Sequence, residues 1–154
     1  MFGMIPFVRA AGRGLGKILK GKEAEDRLKK EVDDLGLKRE GVNIHVDDEG
    51  KVKVAGRGLT QEQKEKLILA VGNVEGVGAV EDEIETDDDV PPARFYTVER
   101  GDSLSKIAKE MYGNAMKYPV IFEANKPMLS DPDKIYPGQV LRIPPLEGAS
   151  SARA

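Results

Sequence analysis

Apolar residues change their spacing several times along this chain, and each change marks an element. Leu28, Val32 and Leu35 recur at helical spacing among Glu23, Arg27 and Glu31, which predicts an amphipathic helix over residues 23–37. Val42, Ile44 and Val46 then alternate with Asn43 and His45, and Val52 and Val54 resume the period of two before Gly56. The polar turn over 47–50 joins these runs into a predicted β-hairpin. Thr60 followed by Gln63 carries the S/T-x-x-E/Q capping signature. Leu67, Ile68, Ala70 and Val71 supply an apolar face behind it, so a second helix should end near Val71 and stop at Gly72. Val77, Ala79, Val80 and Ile84 have the composition of a third strand, and the first half reads αββαβ.

In the second half Tyr96 and Val98 predict a short strand broken at Gly101-Asp102. Ser103 is placed to cap a helix in which Leu104, Ile107 and Met111 share a face. A further helix over 117–125 precedes the Pro137-Gly138 turn, which leads into Val140, Leu141 and Ile143, giving a βααβ unit. The fold class is therefore α+β in two small domains. Their boundaries are a basic N-terminal segment 1–22, a first domain 23–86, an acidic and Pro-containing linker 87–94, a second domain 95–145 and a disordered tail 146–154. The N-terminal segment carries Arg9, Arg13, Lys17, Lys20 and Lys22 with no acid, and is read as an amphipathic helix docked through Phe7, Leu15, Ile18 and Leu19. Its rival role is as a helix lying on an anionic membrane surface.

Composition narrows the chemistry. The chain has 154 residues with no Cys and one His, which removes disulfides, thiolate nucleophiles, most zinc sites and most triads, and argues against an enzyme. A formal net charge of -3 gives no general attraction to nucleic acid. No apolar run approaches the roughly 20 residues that span a bilayer, and the charge order at the N-terminus is the reverse of a secretory signal, so a cytoplasmic monomer is expected. Gly16-x-x-x-x-Gly21-Lys22 has P-loop spacing but is followed by Glu23 rather than Ser or Thr. The Asp47-Asp48-Glu49 and Asp87-Asp88-Asp89 clusters lack the alternating ligands and distal Glu of a calcium loop and read as a solvated turn and linker. His45, between two inward-facing strand residues, reads as a half-exposed surface side chain.

Two stretches carry more specific information. Tyr96-Thr97-Val98-Glu99-Arg100-Gly101-Asp102-Ser103-Leu104, then Tyr112-Gly113-Asn114, Glu123-Ala124-Asn125 and Ile135-Tyr136-Pro137-Gly138-Gln139-Val140-Leu141-Arg142-Ile143-Pro144 resemble a LysM domain almost end to end. Lys51-Val52-Lys53-Val54-Ala55-Gly56 and the run from Gly72 to Val80 resemble a BON domain. The order of the parts, with Phe7-Val8-Arg9-Ala10-Ala11-Gly12 near the start, resembles the small bacterial cytoplasmic BON–LysM proteins.

That resemblance implies a bound potassium ion and a role as an ion sensor or buffer in a stress response. Its ligands would be backbone carbonyls of Val8, Ala11, Gly72, Val74, Gly76 and Val77. The physics is compatible, since a large monovalent cation suits neutral carbonyl oxygens and glycines can turn carbonyls inward. The same glycines are also explained as a helix C-cap and turn formers. For the LysM half, the resemblance implies an N-acetylglucosamine glycan, such as peptidoglycan, held between Gly101, Asp102, Ser103 and Leu104 and the 130–135 loop with Pro132 and Ile135. Asp102 and Ser103 are equally explained as capping residues.

Overall fold

A computed structural model describes residues 3–7, 21–49, 51–74 and 76–146. Among the described residues eleven elements follow one another: β1 (Gly3–Pro6), α1 (Gly21–Asp34), β2 (Val42–Val46), β3 (Val52–Leu59), α2 (Gln61–Gly72), β4 (Ala79–Thr86), β5 (Arg94–Thr97), α3 (Leu104–Tyr112), a 3₁₀ turn (Ala115–Lys117), α4 (Tyr118–Ala124) and β6 (Val140–Ile143). The architecture is α+β, a four-stranded sheet under two helices followed by a two-stranded sheet with two helices.

The first sheet runs β1-β4-β3-β2. Strands β2 and β3 form the hairpin, in which Asp47 Oδ1 accepts the N–H groups of Glu49 and Lys51 at 2.9 Å and closes the turn. Strands β3 and β4 are parallel, as a connection through a helix permits. The inner face carries Val42, Ile44, Val46, Val52, Val54, Val80 and Ile84, covered by Ala24, Leu28 and Val32 of α1 and by α2. The outer face sets Lys51, Lys53 and Arg57 beside Glu81, Glu83 and Glu85 at 3.4, 3.5 and 3.8 Å. His45 stands there too, its side chain 67% exposed and its Nδ1 2.9 Å from Glu25.

The capping box forms as predicted: Thr60 Oγ1 accepts Gln63 N–H, and the Gln63 side chain accepts Thr60 N–H. Ser103 caps α3, accepting from Lys106 N–H, and Gly113 ends it in a left-handed conformation. Helix α1 stops at Asp34 rather than near 37, because Gly36 turns left-handed at φ 74°.

Three expectations change. The N-terminal segment does not begin as a helix: residues 3–6 form an edge strand antiparallel to β4, from Gly3↔Asp82 to Pro6↔Ala79. An edge tolerates Pro6 because its missing N–H faces away from the ladder. The anticipated contacts of Leu15, Ile18 and Leu19 lie outside the described residues, as does the tail beyond 146. The acidic stretch is also less solvated than its composition implies. Asp82 lies on the inner face of β4, buried with Lys64 Nζ 2.9 Å away, and Asp88 Oδ1 accepts Gln61 N–H at the start of α2. Finally, α2 is buried from Lys64 to Gly72 except at half-buried Lys66, because the second domain covers the face that the first leaves open.

Candidate functional site

The turn between α2 and β4 gathers Gly72, Val74, Gly76 and Val77, four of the residues expected to hold a cation, and all four are buried. Asn73 ends the helix, its N–H reaching Leu69 O and Val71 O. Two further bonds fold the turn on itself, Val74 N–H to Val71 O at 3.3 Å and Val77 N–H to Val74 O at 3.1 Å. Among the described residues, no backbone N–H outside the regular elements donates to the carbonyls of Gly72, Gly76 or Val77. Gly76 takes φ 102°, so its glycine is conformational, whereas Gly72 has no positive φ. Gly72 is glycine because Phe7 stands against it: a Cβ there would lie 2.1 Å from the ring's Cζ. Val8 and Ala11 lie outside the described residues.

The same turn is tied to the second domain. Asn73 Nδ2 donates to Val140 O, and Val140 N–H donates to Asn73 Oδ1, both at 2.9 Å, so one carboxamide serves both backbone groups of a strand residue. The Val140 side chain joins the core of the first domain. One helical turn or more away, Glu65 and Arg142 meet with side chains 2% and 8% exposed. Glu65 Oε2 also accepts Gln61 Nε2 and Ala93 N–H. Arg142 Nη1 reaches Ala124 O, while Asn125 pairs with the backbone of Arg142 through both ends of its carboxamide. No reading of the sequence assigned these residues a role. The uninterrupted apolar run Leu67–Val71 was the available signal, since a helix apolar all round is covered all round.

The expected glycan loop is engaged locally. Gly101 is exposed at φ 88° with open space around it. Asp102 Oδ2 accepts the Tyr96 hydroxyl at 2.7 Å and Glu99 N–H at 2.8 Å, and burial followed by that hydrogen bond raises the Tyr96 phenol well above its ordinary pKa. Ser103 caps α3 and Leu104 is core. Across from them, Pro132 and Ile135 are half-buried, Ile135 packing on the second core. The glycan residues thus retain backbone groups and rims, with the side chains of Asp102, Ser103 and Leu104 committed to structure.

Comparison with known families agrees with both halves. Residues 21–88 match the BON domain and residues 96–144 the LysM domain. The chain is therefore a BON–LysM protein. It is 49% identical over 148 residues, 92% of its length and 98% of the relative's, to "Potassium binding protein Kbp" of Escherichia coli O6:H1, and it belongs to the family of that protein. An "Uncharacterized protein" of Deinococcus radiodurans is 44% identical over 89 residues, which cover 52% of this chain and 34% of that one. Among the described residues, no helix is long and apolar enough to cross a membrane.

Proposed function

We propose that this protein is a non-enzymatic potassium-binding protein of the cytoplasm, a sensor or buffer. Backbone carbonyls of Gly72, Val74, Gly76 and Val77, completed by Val8 and Ala11 of the N-terminal segment, cage the ion. Binding compacts the BON domain against LysM. The observation that carries this reading is the turn between α2 and β4, which collects four of the six residues, Gly72, Val74, Gly76 and Val77, all of them buried. The whole-length relationship to a protein named for potassium binding supports the choice of ion. Neutral carbonyls suit a large monovalent cation, whereas calcium favours carboxylates.

The Asn73–Val140 bridge gives the compaction a route, because the residue that clips LysM lies between two of the proposed ligands. Potassium would stabilise the folded state by mass action, about 2.7 kcal/mol at a hundredfold excess over Kd. For a chain of this size that raises the melting midpoint by roughly 5–10 °C. Thermal melting in potassium and in sodium at equal ionic strength tests it, and coincident midpoints across millimolar concentrations would sink the proposal.

A second reading follows from the LysM match at 96–144: peptidoglycan or another N-acetylglucosamine glycan held at the mouth of that domain. Exposed Gly101 and the half-buried Pro132 and Ile135 leave backbone and apolar edges there. Retention on purified peptidoglycan by the full chain, lost on blocking that mouth with Gly101→Trp, would establish it.

A further inference from the structure

Phe7 touches both ends of the 72–78 turn. Its N–H donates to Gly78 O at 3.0 Å, one residue beyond the last β1–β4 pair, Pro6↔Ala79. Its ring points tip-first at Gly72: a Cβ added there would stand 2.1 Å from Cζ and 2.3 Å from each Cε. The side chain is buried, in the core that also holds Val74 and Val77. One residue therefore fixes the first position of the turn with its ring and the last with its amide.

This matters for a site built from backbone. No side-chain substitution deletes a carbonyl oxygen, so control over the oxygens passes to whatever holds the backbone in place. The geometry points to Phe7 as the positioning residue of the cation site, setting the span between Gly72 and Gly78 and with it the spacing of the carbonyls between them. The inference rests on the proposed carbonyl cage, and it adds a residue whose side chain touches no ion. Carbonyl sites favour potassium over sodium only while the oxygens are kept from closing on the smaller ion or offer it the wrong field and number. A clip across the turn therefore bears on selectivity as well as affinity. Outer groups that orient metal ligands typically affect affinity by about 10- to 100-fold.

The test is cation titration of the full chain, with potassium chloride and sodium chloride as probes and heat of binding as the readout. The proteins are the wild type, Phe7→Leu, Gly72→Ala and the double variant. Leucine gives up the tip of the ring, the space an alanine Cβ at 72 would take. Each single change is expected to weaken potassium about 10- to 100-fold and to lower the potassium-to-sodium ratio. The double variant should bind more tightly than the product of the two losses, because the sites share one contact. Circular dichroism checks folding, and Phe7→Met, which keeps apolar bulk with a flexible end, replaces Phe7→Leu if that variant unfolds.

Wild-type affinity and wild-type ion ratio in folded single variants would overturn the inference and leave Phe7 an ordinary core residue. So would strictly multiplicative losses in the double variant. Absence of saturable potassium binding by the wild type would overturn the cage itself, a failure visible before any variant is made.

Discussion

Arg142 of the LysM strand β6 closes on Glu65 of the BON helix α2, with Nε 2.9 Å and Nη2 2.8 Å from the same carboxylate oxygen. Both side chains are almost wholly removed from solvent, so the pair is set by geometry rather than by long-range attraction. Its remaining bonds, to Gln61, Ala93 and Ala124, leave it fully engaged. Desolvating two charges consumes most of what their attraction returns, so such a pair specifies how surfaces register more than it adds stability.

Removing one partner is another matter. Arg142→Met strands the Glu65 carboxylate inside the seam and should cost about 3–5 kcal/mol in urea unfolding. Adding Glu65→Met to that variant should restore part of the loss, since the buried charge is gone. A double variant no more stable than Arg142→Met would show that the arginine acts through its other contacts instead.

Asn73 joins the candidate cation turn to LysM through two hydrogen bonds to Val140. Asn73→Ala leaves the N–H and C=O of Val140 without their partner, at a cost of about 1–3 kcal/mol. The Val140 amide should exchange its hydrogen faster than in the wild type, with amides of the β2–β3 hairpin unchanged. Unchanged protection at Val140 would mean that the strand is held without the bridge.

Much of this was legible before the structure. Thr60 and Gln63 announce their capping box because both partners sit within one turn of helix. The hairpin and the βααβ unit follow from local alternation and turn chemistry. What escaped depends on segments distant in sequence. Strand β1 contains Gly3 and Pro6 and has no alternation of its own; it is a strand because β4 pairs with it. Gly72 looked like a residue chosen for its backbone freedom, yet it makes room for a ring 65 positions earlier. Val80 and Ile84 flank Asp82 at period two, which places it on the inner face with Lys64. That signal was readable.

Two groups give the stability curve opposite slopes at its two ends. The Tyr96 phenol is raised by burial and by its bond to Asp102, so the folded state keeps a proton that the unfolded chain gives up above about pH 10. Its contribution is fully present below that pH and falls as pH rises through the alkaline range. The Asp47 carboxyl is lowered by the N–H groups of Lys51 and Glu49, so its contribution is present above about pH 4 and falls in more acidic solution. Tyr96→Phe should flatten the alkaline limb of a pH series of urea melts and Asp47→Asn the acid limb. A swapped or absent effect would contradict the assignments.

Gly56 and Gly36 both have positive φ, 145° and 74°, yet alanine should not be equivalent at the two. At Gly36 the space around a new Cβ is empty, so the substitution meets only the backbone penalty, about 1–2 kcal/mol. At Gly56 the Cβ would stand 2.0 Å from Gly41 O and 2.9 Å from Val42 Cα. Both are backbone atoms, one in β2 and one in the residue just before it, which cannot rotate aside as a side chain would. Relief requires β2 and β3 to separate where Val42 faces Gly56 and where Arg57 N–H reaches Gly41 O at 3.2 Å. Backbone strain of about 1–3 kcal/mol and overpacking of a similar size together predict a loss of about 2–6 kcal/mol for Gly56→Ala. Urea midpoints of the two variants provide the comparison. Gly56→Ala as stable as Gly36→Ala would mean that the hairpin is not closed at this crossing in solution.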